Sequence, residues 1–99
     1  MKVIRISLHN LREVEDIDNT VSILKEGILK YKPELLKALL IGVVKGEDGA
    51  SLGLMIATNL TPEKIVFAIQ HLFPQHENMT GSIMTEDKER VDEFIEKYS

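Results

Sequence analysis

The strongest constraint in this chain is a pair of apolar runs, Leu40-Ile41-Gly42-Val43-Val44 and Leu52-Gly53-Leu54-Met55-Ile56-Ala57-Thr58, separated by the polar stretch Lys45-Gly46-Glu47-Asp48-Gly49-Ala50. An Asp-Gly pair in a short polar connection between two strand-forming runs specifies an antiparallel hairpin, because the tight turns that match strand twist need residues that tolerate positive φ. If the turn spans Gly46 to Gly49, Gly42 falls opposite Gly53 and leaves a spot without side chains, where another backbone or a ligand can approach closely. The second run is apolar or small throughout: Leu52, Leu54 and Ile56 alternate with Gly53, Met55 and Ala57. A strand wetted on one face alternates apolar with polar residues. Both faces of this strand are therefore expected to be covered.

Charge is distributed to match. Residues 35 to 60 hold 15 apolar positions out of 26 but only four of the 28 charged residues, Lys37, Lys45, Glu47 and Asp48. The remaining charge surrounds the hairpin and leaves a net of −4. Upstream of the hairpin the pattern is ambiguous. Leu36, Leu39, Leu40 and Val43 fit a buried helical stripe opening with Pro33 at its first position, and residues 35–40 can be read as helix or strand; strand is preferred for the second half of the run because the hairpin needs it.

Elsewhere the periodicities are clearer. Ile4, Ile6 and Leu8 alternate with Arg5 and Ser7, predicting a half-buried strand over residues 3–8, and the polar stretch His9 to Asp16 reads as a connection. Asp16 or Asp18 caps a predicted helix with Ile17, Val21, Leu24, Ile28 and Leu29 on its apolar face, ending near Tyr31-Lys32-Pro33. Leu60-Thr61-Pro62-Glu63-Lys64-Ile65 is a helix start, with Thr61 as N-cap, Pro62 in the first position and Leu60 stapled against Ile65. That helix buries Ile65, Ala68, Ile69 and Leu72, with Val66 and Phe73 at its edges, and stops at Pro74. Met79, Gly81 and Ile83 alternate with Thr80, Ser82 and Met84 in a weaker strand. Thr85 then caps a last helix whose apolar face is Val91, Phe94, Ile95 and Tyr98.

The order β-α-β-β-α-β-α predicts a single α+β domain over residues 1–99. It corresponds to the ferredoxin-like plan of four antiparallel strands with two helices on one face, plus an added C-terminal helix. The first and third strands lie at the centre of that plan and the second face of the sheet is left open. Such a plan serves many functions and specifies none.

Several classes of chemistry lack their residues. There is no cysteine, which removes disulfides, thiolate nucleophiles and cysteine-ligated metals. His9, His71 and His76 show no ligand spacing, and the acidic run Glu13, Glu15, Asp16 and Asp18 is what a helix N-terminus favours in any case. Ser7, Ser22, Ser51 and Ser82 sit in no nucleophile motif, and Gly46 to Gly49 carries two acids and leads into a strand, unlike a phosphate loop. Nucleic-acid binding on an open sheet face needs aromatic platforms in the central strands. All five aromatics, Tyr31, Phe67, Phe73, Phe94 and Tyr98, fall in or beside predicted helices. The negative net charge weighs against it too, with only Lys25, Lys30, Lys32 and Lys37 as a local basic group. No secretory leader or membrane span is read from the sequence, so a cytoplasmic location is expected, and no cofactor is expected.

Three functional expectations remain. The first is a non-enzymatic interaction or regulatory module that forms a homodimer, or binds a protein partner, through its sheet, with Leu52, Leu54, Met55 and Ile56 at the interface. The second is a small-ligand sensor binding at a dimer interface, using His9, Arg5, Gly42 and Gly53, with the His9–Asp16 loop forming part of the pocket. The third is a small enzyme using His9 with a carboxylate.

Overall fold

Ile4, Ile6 and Leu8 face the same way in β1 (Lys2–Leu11) and are fully buried, as their alternation with Arg5 and Ser7 predicts. The protein is described by a computed structural model covering residues 1–11, 14–30, 36–46, 49–72, 74 and 78–99. The elements that follow β1 are α1 (Val14–Lys30), β2 (Leu36–Gly46), β3 (Gly49–Thr58), α2 (Pro62–Leu72), β4 (Met79–Thr85) and α3 (Lys88–Tyr98). The four strands form one antiparallel sheet in the order β2-β3-β1-β4, an α+β arrangement with three helices.

The hairpin has the expected register. Gly46 pairs with Gly49 and Gly42 pairs with Gly53, leaving positions 47 and 48, outside the described residues, as the connection. The stretch that also fits a helix is strand from Leu36 onward: Leu36 lies across from Thr58 and Ala38 across from Ala57, with an irregularity between them. Ladder hydrogen bonds to β3 outweigh a helical stripe that had no partner of its own. The Tyr31-Lys32-Pro33 helix end, Leu35 and Phe73 lie outside the described residues.

Three boundaries differ from expectation. Strand β1 runs past Leu8 because the His9 N–H donates to the Asn78 carbonyl at 3.1 Å, extending the ladder to β4 through residues with no apolar alternation. Helix α1 begins at Val14, so Asp16 and Asp18 lie inside its first turns and do not cap it. Carboxylates there still suit the positive end of the helix. Asp87 caps α3 in place of Thr85, its Oδ1 accepting from the Glu89 N–H at 2.9 Å, while Thr85 Oγ1 accepts from the Asp87 N–H one step earlier. Leu29, predicted on the apolar face of α1, is exposed. Thr61 does cap α2: its carbonyl accepts from the Ile65 N–H at 3.1 Å and its hydroxyl from the Lys64 N–H at 3.4 Å.

Two apolar clusters lie on opposite faces of the sheet. On one face Ile4, Ile6, Leu8, Leu52, Leu54 and Ile56 meet Ile17, Leu24 and Ile28 of α1 and Ile65 and Ile69 of α2. On the other, Val91 and Phe94 of α3 seat on Val3, Ala38 and Ala57, with Leu40, Met55, Ile95 and Tyr98 at the margin. The Phe94 and Tyr98 rings stand 4.9 Å apart in a tilted contact. Among the described residues no buried side-chain nitrogen or oxygen lacks a partner, and no helix is long and apolar enough to cross a membrane.

Candidate functional site

The second face of the sheet is covered at one end only. Strand register orders it in rows running from β2 to β4. The row of Ala38, Ala57 and Val3 lies under α3; the next is Leu40, Met55, Arg5 and Ser82; beyond it come Gly42, Gly53, Ser7 and Thr80. Eleven residues of helix cannot reach across the whole strand length, since α3 rises only about 1.5 Å per residue and crosses the strands at one end.

Where α3 stops, an open cavity of about 250 Å³ is lined by Arg5, Leu40, Gly42, Val44, Gly53 and Met55. Its floor is the Gly42–Gly53 pair. A Cβ on Gly42 would meet nothing within 4 Å, and one on Gly53 would make only ordinary contacts, 3.7 Å to the Gly42 carbonyl oxygen and 3.8 Å to Val44 Cγ2. The walls are aliphatic and thioether carbon, with the exposed Arg5 supplying the one charge among the lining residues. Such a hollow suits a small molecule with an apolar body and an anionic end.

Three of the four sequence-nominated ligand residues, Arg5, Gly42 and Gly53, thus line one cavity. The fourth, His9, lies on the same face of β1 but two rows past Arg5, outside the cavity, with Nε2 3.4 Å from Thr80 Oγ1. Of the stretch from His9 to Asp16 expected as a loop, residues 9–11 belong to β1 and residues from 14 onward to α1, while residues 12 and 13 lie outside the described residues. His76 and the side chains of Glu13, Glu15 and Asp16 lie outside the described residues. Among the described residues no group of three or more His, Asp or Glu is placed to hold a metal ion.

The nominated interface requires correction. Leu52, Leu54 and Ile56 are fully buried against α1 and α2, so they are core residues that no partner can touch. Of the four, Met55 alone faces the second side of the sheet. The reason is the pleat: in a strand covered on both faces, alternate residues belong to different layers, and the larger set faces the two-helix layer.

A second surface had no place in the sequence reading. Strand β4 is an edge strand, and Met79–Thr85 carries no charge and no proline. Beside it, α2 exposes Phe67 at 72%, and β4 itself exposes Ile83 at 46% and Met84 at 51%. Between α2 and β4 runs a groove of about 350 Å³ lined by Pro62, Val66, Phe67, Met79 and Gly81 among others. The signal available in the sequence was seven uncharged residues between Asn78 and Glu86 in a strand that the plan puts at the sheet edge. Comparison with protein-family models, with curated proteins and with solved structures returns no match to this chain.

Proposed function

We propose that the protein is a non-enzymatic interaction module of ferredoxin-like architecture that self-associates through its β-sheet. The strand order and the two helices on one face support the architecture. The observation that carries the function is the β4 edge. Soluble proteins commonly blunt a sheet edge with lysine, proline or a covering segment. Here the β2 edge has Lys37 and Lys45, whereas β4 has no charge and exposes Ile83 and Met84. The cytoplasm, the compartment we assign, rests on the sequence alone.

Light scattering on the purified chain at about 50 μM tests this reading. A mass of twice 11.2 kDa is the expected result, and a monomer at that concentration overturns it.

The cavity at Arg5 favours a second reading, a sensor for a small anionic ligand. Binding to the folded state raises stability by RT ln(1 + L/Kd), where L is the free ligand concentration. A thermal-shift screen of small carboxylates and phosphates should then give a shift that Arg5→Ala removes. Absence of any shift sets this reading aside. For an enzyme built on His9, the described residues supply no carboxylate partner to the ring.

A further inference from the structure

We infer that β4 pairs antiparallel with the same strand of a second copy, about a twofold axis through Ser82, to give a continuous eight-stranded sheet. This rests on the self-association proposed above and names its surface and register.

The backbone restricts where the axis can pass. The His9 N–H bonds to the Asn78 carbonyl. In an antiparallel ladder the N–H and C=O of one residue point to the same side and successive residues alternate. Asn78, Thr80 and Ser82 therefore direct their backbone groups to β1, while Met79, Gly81 and Ile83 direct theirs to the free edge. Directly opposed residues must both point toward the junction or both away from it. An axis between two residues breaks that match, so the axis passes through a residue.

Side-chain size selects which one. Centred on Ser82, the midpoint of Met79–Thr85, the pairing sets Gly81 against the partner's Ile83 within the regular stretch, while the partner's Met84 and Thr85, opposite Thr80 and Met79, lie past the register irregularity. The large Ile83 side chain thereby meets the bare backbone of Gly81. Centring on Gly81 instead sets Met79 against the partner's Ile83, two large side chains, and gives up the Gly81–Ile83 fit, while centring on Ile83 sets that residue against itself and takes in the irregularity. The irregularity in the β1–β4 register falls after Ile83, leaving the central positions regular.

The groove provides the hole for the knob. Gly81 and Ile83 lie opposite Ile6 and Ile4, hence on the helix-covered face. Opposite Gly81, the partner's Ile83 stands at the mouth of the groove between α2 and β4, beside Pro62, Val66 and Phe67. The twofold repeats the contact, so each copy presents both knob and hole, as a self-complementary interface requires. Ser82 meets the partner's Ser82 in a non-hydrogen-bonded pair, where facing Cα atoms are about 4.5 Å apart.

The chain has no cysteine of its own, so a single introduced thiol reports one register. Under mild oxidation Ser82→Cys should give a disulfide-linked dimer. Thr80→Cys should not, because its copies would be four residues apart along the strand, about 14 Å, and disulfides need Cα atoms within about 7 Å. Ile83→Lys should give a monomer with an unchanged far-UV circular dichroism spectrum, since Ile83 is half exposed. A wild-type dimer that resists Ile83→Lys, or that fails to cross-link through Ser82→Cys, overturns this interface and leaves self-association through another part of the sheet. A wild-type monomer overturns both.

Discussion

Gly81 of β4 and Ile6 of β1 are cross-strand partners packed so closely that a Cβ at position 81 would lie 2.9 Å from Ile6 Cδ1. Val66 Cγ2 at 3.1 Å and Pro62 Cβ at 3.3 Å close the other directions. Helix α2 therefore rests on β4 at this point, with no room for a side chain beneath it. Gly81→Ala must push α2 outward or force Ile6 off its rotamer, and overpacking of this kind costs about 1–3 kcal/mol. Urea denaturation should show a lower midpoint with an unchanged slope. An unchanged midpoint would mean that α2 is free to shift.

Thr58, fully buried, ends β3 and has its hydroxyl oxygen accepting from the Leu60 N–H at 3.1 Å. That bond turns the chain out of the sheet toward α2. Thr58→Val keeps the shape but leaves the Leu60 N–H without its acceptor, which costs about 1–3 kcal/mol. Thr58→Ser keeps the acceptor and should lose less. If the valine and serine variants unfold at the same denaturant concentration, the hydrogen bond contributes nothing.

Much of this was readable from periodicity because each apolar set had a single way to be buried. Ile4, Ile6 and Leu8 recur every second residue, and Val91, Phe94, Ile95 and Tyr98 recur at helical spacing; both sets lie where that spacing puts them. The glycine pairing followed from the Asp-Gly turn, since fixing one end of a hairpin fixes every pair along it. What periodicity could not reveal depended on neighbours distant in sequence. The extension of β1 through His9 rests on the carbonyl of Asn78, and the strand state of Leu36–Leu40 rests on β3. The expected placement of Leu52, Leu54 and Ile56 at an interface differs from the structure for a similar reason. An apolar strand with two covered faces does not say which face belongs to the core, and only the layer of α1 and α2 decides that Leu52, Leu54 and Ile56 are interior.

Helix α3 is held by few residues, so its ends matter. Asp87 accepts from the Glu89 N–H at 2.9 Å, and the far end is closed by the Ser99 N–H bonding to the Ile95 carbonyl. Asp87→Ala should cost about 1 kcal/mol, the usual worth of an N-cap. Phe94→Ala removes the larger of the two buried side chains that seat the helix on Ala38 and Ala57, and should cost about 3 kcal/mol. Both variants should expose amides of residues 88–98 to faster hydrogen exchange. Uniform acceleration over the whole chain would instead show that α3 unfolds only with the sheet.

The paired glycines at the cavity floor set stability against occupancy. Neither Gly42 nor Gly53 needs to be glycine for steric reasons, since a Cβ at either position finds open space or ordinary contact. Glycine within a strand costs about 0.5–1 kcal/mol relative to alanine, so Gly42→Ala and Gly53→Ala should each raise the midpoint of denaturation by a comparable amount. The added methyl groups would occupy the floor between Leu40, Val44 and Met55, which is where a ligand held by Arg5 would lie. The double variant should therefore be more stable than the parent and lose any thermal shift given by a small anion. A double variant that is less stable would show that the two backbones must remain bare for the sheet itself, and the case for an open binding floor would fail.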